Sequence, residues 1–212
     1  NAHNAAADGT ITIDGETEDV EVAVAYISYG DNAYTFNSIE AAIAKAEAGE
    51  TVTLLRDITA SNIITINKAI TLDGNGKTLT STAARAINVE TDGSVTISNL
   101  TIKAGERAFN IINKPATVEL NGVTATANNN AVMIATSAGA AEVSINDCNF
   151  TGLAVVNVAG AESNVAIKNS TITNVDASTS EQCGAITVWS SAKAAEVNVE
   201  NTEINVADDS KK

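Results

Sequence analysis

Side chains that could carry chemistry are sparse in this chain of 212 residues. The single histidine, His3, sits near the start. Cys148 and Cys183 fall at different phases of the repeat described below. A disulfide needs Cα atoms within roughly 7 Å, so the expectation is two free thiols and no metal site. Asp73-Gly74-Asn75-Gly76 lacks the alternating carboxylates of a calcium loop and reads as a turn insertion. The acidic run Asp14, Glu16, Glu18, Asp19 and Glu21 reads as a solvated strand face. Arg85, Lys103, Glu106 and Arg107 could form a charged patch with Glu181, although separate solvated turn charges are the plainer reading. Trp189 follows Val188 and should face outward, where an indole could stack on a sugar ring or cover the C-terminal edge. The sequons at Asn99, Asn149 and Asn169 follow from a turn asparagine placed before an outward residue. No catalytic residue, metal ligand or cofactor site is expected.

The elements that must position these groups are set by a repeat. Three apolar columns recur about every 22 to 25 residues. The first is Ile64, Ile87, Phe109, Val132, Val156 and Ile186. The second is Ile70, Val95, Val118, Val143, Val165 and Val197, and the third is Leu79, Ile102, Ala125, Phe150, Ile172 and Ile204. Three short strands per repeat, stacked on the next repeat, describe a solenoid. Between the second and third strands only Gly, Asn or Asp occurs: Gly74, Asn99, Gly122, Asp147, Asn169 and Asn201. These residues tolerate positive φ best, so the pattern predicts a left-handed turn residue on every coil. Seven rungs, counting a partial first one at Val52 and Leu54, give a rod of roughly 34 Å at about 4.8 Å per rung.

Residues 9–36 depart from the repeat. Thr10–Ile13, residues 20–27 and Tyr34–Phe36 alternate between turn signals, which predicts a small antiparallel element. Over 38–48 the spacing of Ile39, Ala42, Ile43 and Ala46 predicts a helix. Asn37 and Glu40 form a capping-box pattern, and Gly49 is expected as the C-terminal stop. Its apolar stripe should close the first coil.

Net charge is −14, which disfavours nucleic acid and anionic membrane surfaces as partners. No run of 18 apolar residues exists to span a bilayer as a helix. The chain begins at Asn1 without Met and shows no signal peptide, the pattern of a processed or trimmed sequence. Its Ser/Thr/Asn-rich outer positions suit an exported protein.

The segments TVTLLRDIT (51–59), AITLDGNGKTLT (69–80) and SVTISNLTI (94–102) resemble the pectin-lyase-like right-handed β-helix superfamily. With SIEAAIAKAEAGETVTLL (38–55) ahead of the first rung, the chain is similar to its bacterial cell-surface members over about residues 34–206. The resemblance implies a substrate cleft along the outward face of the first strand column. That column is Thr65, Asn88, Asn110, Met133, Asn157 and Thr187, and it holds neither carboxylate nor arginine. Glycoside hydrolysis needs paired Asp/Glu, and calcium-dependent lysis needs an acidic cluster with a base. The lyase-type Arg-x-Pro and the hydrolase-type Asn-Thr-Asp and Gly-His-Gly patterns are absent as well.

The fold expected is therefore all-β: a right-handed single-stranded parallel β-helix with an N-terminal capping helix and a short antiparallel element. Residues 1–36 form the N-terminal segment, 37–206 the helix cap and β-helix, and 207–212 a polar tail. The function expected is a non-catalytic extracellular or cell-surface module, adhesin-like or a spacer, binding a glycan or a surface protein through Trp189, Asn157, Asn110, Asn88 and Arg107. The alternative is a carbohydrate-active enzyme, a polysaccharide lyase or glycoside hydrolase, whether active or degenerate. No amphipathic helix follows the last rung, so that edge should be covered by the insertion 174–184 with Trp189, by an adjoining domain or by a second copy.

Overall fold

A computed structural model describes residues 10–13, 16–19, 22–29, 32–175 and 183–207. His3, Glu181, most of the insertion 174–184 and the tail after Ala207 lie outside them, as do the side chains of the acidic run at 14–21. Strand makes up 54% of the protein and helix 6%, in a parallel β-solenoid of about 5 turns. The turn count is slightly below the seven rungs expected.

In chain order, β1 (Thr10–Ile13) pairs antiparallel with β2 (Glu16–Asp19) in a sheet of its own. Of the strand expected over 20–27, residues 22–24 are not strand and β3 (Ala25–Tyr29) begins only at Ala25. β3 and β4 (Asn32–Phe36) form a hairpin, then come helix α1 (Ile39–Lys45), β5 (Thr51–Leu54) and β6 (Ile58–Ala60). From Ile64 onward three strands recur per coil and build three sheets. The first sheet stacks six strands, from Ile64–Ile66 to Gly184–Val188. The second runs from β5 to Glu196–Glu200 and is extended beyond β5 by antiparallel β3 and then β4. The third runs from β6 to Glu203–Val206.

The apolar columns are the registers of these sheets. Ile64, Ile87, Phe109, Val132, Val156 and Ile186 are consecutive partners in the first sheet. Val95, Val118, Val143, Val165 and Val197 are partners in the second, and Leu79 through Ile204 in the third. Phe150 is fully buried between Ala125 and Ile172. Ala125 is small, which leaves room for the Phe109 ring 6.5 Å from that of Phe150, tilted by 43°. Such a column buries each residue only because the coil on either side is present.

The turn ladder follows its residue types with one exception. Asn99, Gly122, Asp147, Asn169 and Asn201 have φ between 48° and 61°. Gly74 does not; Asn75 (49°) and Gly76 (71°) take the left-handed positions of that longer turn. Gly74 is required for a different reason. A Cβ there would lie 2.6 Å from the Asn99 carbonyl oxygen and from the Leu100 Cα. The turns also bond up the stack: the N–H of Asn99 donates to the Asn121 carbonyl, Gly122 to Asn146 and Asp147 to Lys168.

Helix α1 is shorter than its sequence pattern, and its cap is Ser38 rather than Asn37. The Ser38 Oγ accepts from the Ala41 N–H at 3.1 Å. Gly49 is not the helix stop; it occupies a later turn with φ 88°, donating to the Ala69 carbonyl at 2.7 Å. The helix C-terminus is closed instead by Lys68, whose Nζ donates to the Ala44 and Ala46 carbonyls. Ile39, Ala42, Ile43 and Ala46 are buried, so the expected stripe does cover the first coil.

Candidate functional site

The first sheet differs from the other two. In the second and third sheets burial alternates along each strand, as expected for an inner and a solvated face. In the first sheet Asn130–Ile134 and Ala154–Val158 are buried at every position, and Arg85–Val89 and Arg107–Ile111 at all but the first. The column expected to face solvent is therefore largely covered. Asn110 is 0% exposed, Asn157 4%, Met133 7% and Asn88 8%, while Thr65 at the edge is exposed and Thr187 half-buried.

Buried amides need partners. The Asn110 Nδ2 donates to the Asn88 Oδ1 at 3.1 Å, and the Arg107 Nη1 donates to the Asn110 Oδ1 at 3.2 Å. The guanidinium thus lies against Asn110 and helps take it out of water. Farther along the stack the Asn130 Nδ2 donates to the Ala154 carbonyl at 2.6 Å, and the Asn174 Nδ2 to the Leu153 carbonyl. Two polar atoms here are buried without a hydrogen bond: the Arg107 Nε and the Asn157 Oδ1.

Arg85 and Arg107 are direct partners in the register of the first sheet, half-buried, one coil apart. Among the described residues neither forms an ion pair. Burial lowers the affinity of Arg107 for its proton, and the neighbouring charge of Arg85 adds to this, while Glu106 opposes it. The pair is thus a concentrated positive corner on a chain of net charge −14. The spacing of 22 residues between the two arginines matches the repeat and was the sequence signal that they stack. Lys103 is exposed on the third sheet, so the charged turn residues divide between two faces.

Of the residues expected to bind, Arg107, Asn110 and Asn88 form one connected chain of hydrogen bonds, and Asn157 lies two strands farther along the sheet. Trp189 is not part of it. It follows the strand Gly184–Val188 on the last coil, three strands from Arg107 or about 14 Å along the stack. It is 37% exposed, beside Val188 at 49%.

The two thiols are free. Cys148 is buried, its Sγ 3.1 Å from the Asn146 carbonyl and 3.4 Å from that of Leu120. Burial pushes its pKa up to about 11. Asp73 is occupied by its turn: its Oδ1 accepts from the Asn75 N–H and the Asn99 Nδ2. Among the described residues no group of three or more His, Cys, Asp or Glu is placed to hold a metal ion. No helix among them is long and apolar enough to cross a membrane. A separate groove of about 460 Å³ lies between the hairpin and α1, lined by Ile27, Tyr34, Phe36, Ala41, Lys45 and Glu50.

The fold and this corner define a class, a parallel β-solenoid with a helix cap at one end. No family model, curated protein or solved structure matches the chain.

Proposed function

We propose that this chain is a non-catalytic module of an exported, cell-surface protein, related to the pectin-lyase-like right-handed β-helices, that binds a glycan or a surface protein. The observation that carries the reading is the Arg85–Arg107 pair. Two guanidinium groups one coil apart, with no ion pair among the described residues, form a positive site on an acidic rod. The hydrogen bond from Arg107 to Asn110 fixes one of them in direction. Guanidinium forks suit planar acceptors such as carboxylates and sulfates, and fixed ones lose little entropy on binding. The rigid stack around them is the usual setting for a recognition surface, with the scaffold built for stability and the corner for contact.

The test is a glycan array probed with the whole chain, calcium present and absent, followed by the Arg107→Ala and Arg85→Ala variants. Binding that falls at least about tenfold in both variants supports the reading, since a charge-assisted bond contributes on the order of 1.5–3 kcal/mol. Binding that ignores both arginines refutes the site, and cleavage of a bound glycan would favour the enzyme reading.

A further inference from the structure

The last coil, made of Gly184–Val188, Glu196–Glu200 and Glu203–Val206, ends all three sheets. Among the described strands none pairs with its outer edge. Its inner side is open. Val188 is 49% exposed, Val199 43% and Ile204 46%, whereas Val158, Ile167 and Ile172 directly beneath them are fully buried. The opposite end is closed, with α1 buried over the first coil and β3 antiparallel along β5. The covered end offers no exposed apolar core for the open one to bury against, so the fit favours an isologous contact, one open end against the same end of another copy.

The edge strand of the second sheet is Glu196-Val197-Asn198-Val199-Glu200, which reads the same in both directions. Laid antiparallel on a second copy, it pairs in register with itself. Asn198 opposes Asn198, Val197 opposes Val199 and Glu196 opposes Glu200. Val197 and Val199 continue the columns of Val165 and Ile167, so both stay on the inner side after pairing, as a buried face requires. Asn198 and both glutamates stay outside.

We infer that two copies of this chain join tail to tail through Glu196–Glu200, about a twofold axis at Asn198. The second sheet then runs through both molecules, and the open apolar end around Val199 is covered by its own counterpart. The opposing cost is electrostatic. Glu196 of one copy faces Glu200 of the partner subunit, and like charges directly opposite destabilise a strand pair. Lys168, one coil back and 3.1 Å from Glu200, offsets part of this. The remaining repulsion is between exposed groups and is screened by salt.

Sedimentation velocity over a concentration series tests the interface. The expected result is a reversible dimer that tightens as salt is raised. Glu196→Lys, on the exposed outer side, turns each like-charged pair into an opposite one and should tighten the dimer about tenfold at low salt. Asn198→Lys places two ammonium groups together on the axis and should weaken it by about tenfold or more. Both sites are exposed, and an unchanged thermal melt of the diluted variants checks the fold. Position 198 of the two copies lies about 4.5–5.5 Å apart at Cα, within disulfide reach. Asn198→Cys combined with Cys183→Ser should therefore give a covalent dimer on oxidation, and Asn164→Cys, one coil back, should not. A chain that stays monomeric in all salts overturns the inference. So does a dimer indifferent to both lysine substitutions, or one that Asn198→Cys fails to cross-link.

Discussion

At the N-terminal end, Ile39, Ala42 and Ile43 of α1 are buried on the first coil, and β3 hydrogen-bonds along β5. At the C-terminal end the same columns finish at Val188, Val199 and Ile204, each more than two-fifths exposed. Both ends carry residues of similar size and apolarity, in the same registers as the middle. What differs is the presence of a neighbour. In a stacked architecture each coil is stabilised by the interface on either side of it, so a side chain contributes according to how many interfaces it joins. The same Ile or Val is a full core residue in mid-stack, a core residue by courtesy of a helix at one end, and a half-covered one at the other.

The sharpest way to break this comparison is in the middle. Phe150→Ala removes a fully buried ring that packs against Phe109, and it should cost about 3–5 kcal/mol in denaturant melts. A loss under about 1 kcal/mol would mean that the mid-stack columns are not the core. The capped end comes next. Ile43→Ala strips the helix of a residue 3% exposed and should cost about 2–4 kcal/mol, again by denaturant melt. If it costs no more than the open-end variant below, α1 does not function as a cap. Ser38→Ala removes the side-chain bond that caps the first turn of that helix and should cost about 1 kcal/mol. Ile204→Ala, at the open end, should cost less than about 1 kcal/mol when measured on diluted, monomeric protein, because nearly half of the side chain already meets water. A larger loss would show that this end is covered in solution.

The cysteines sharpen the same contrast by reactivity. Cys148 lies within the stack, and burial raises its pKa from 9.0 to about 11. Cys183 sits half-buried just ahead of the last coil. Alkylation of the native protein should therefore label Cys183 well before Cys148, read by mass spectrometry of peptides. The raised pKa also fixes a sign for stability. The folded state holds the Cys148 proton more tightly than the unfolded chain. Its contribution is therefore complete below pH 9 and is lost as pH rises toward 11. Cys148→Ala should flatten that part of the pH–stability curve.

Much of this architecture was legible in the residues. The period of 22 to 25 set the coil, and the three apolar columns became registers without a shift. Five of the six turn positions took positive φ as their Gly, Asn and Asp identities required. Local detail was less legible. Ser38 took the cap from Asn37, and α1 stopped before Gly49, at the end where Lys68 from the first coil reaches back to the Ala44 and Ala46 carbonyls. That contact joins residues more than 20 positions apart, outside any capping pattern. Gly74 looked like a left-handed residue and instead leaves space for the backbone of the next coil. Composition cannot separate these two reasons for a glycine.

For the candidate site the division is clearer still. Alternation placed Asn88, Asn110 and Asn157 on the side of the first sheet away from Ile87, Phe109 and Val156, and from sequence that side reads as solvent. The tertiary structure buried it, joining Asn88 to Asn110 by a hydrogen bond and laying Arg107 against Asn110, with Asn157 buried two strands farther on. A period of two tells which side of a strand a residue occupies, but whether that side meets water depends on what lies across it. The sequence by itself determined the coil, its registers and most of its turns, since these follow from neighbours one repeat apart. Only the tertiary structure decided that the outer face of the first sheet is buried, because this depends on contacts the repeat does not encode, whereas the stacking of Arg85 on Arg107 follows from their spacing of one repeat.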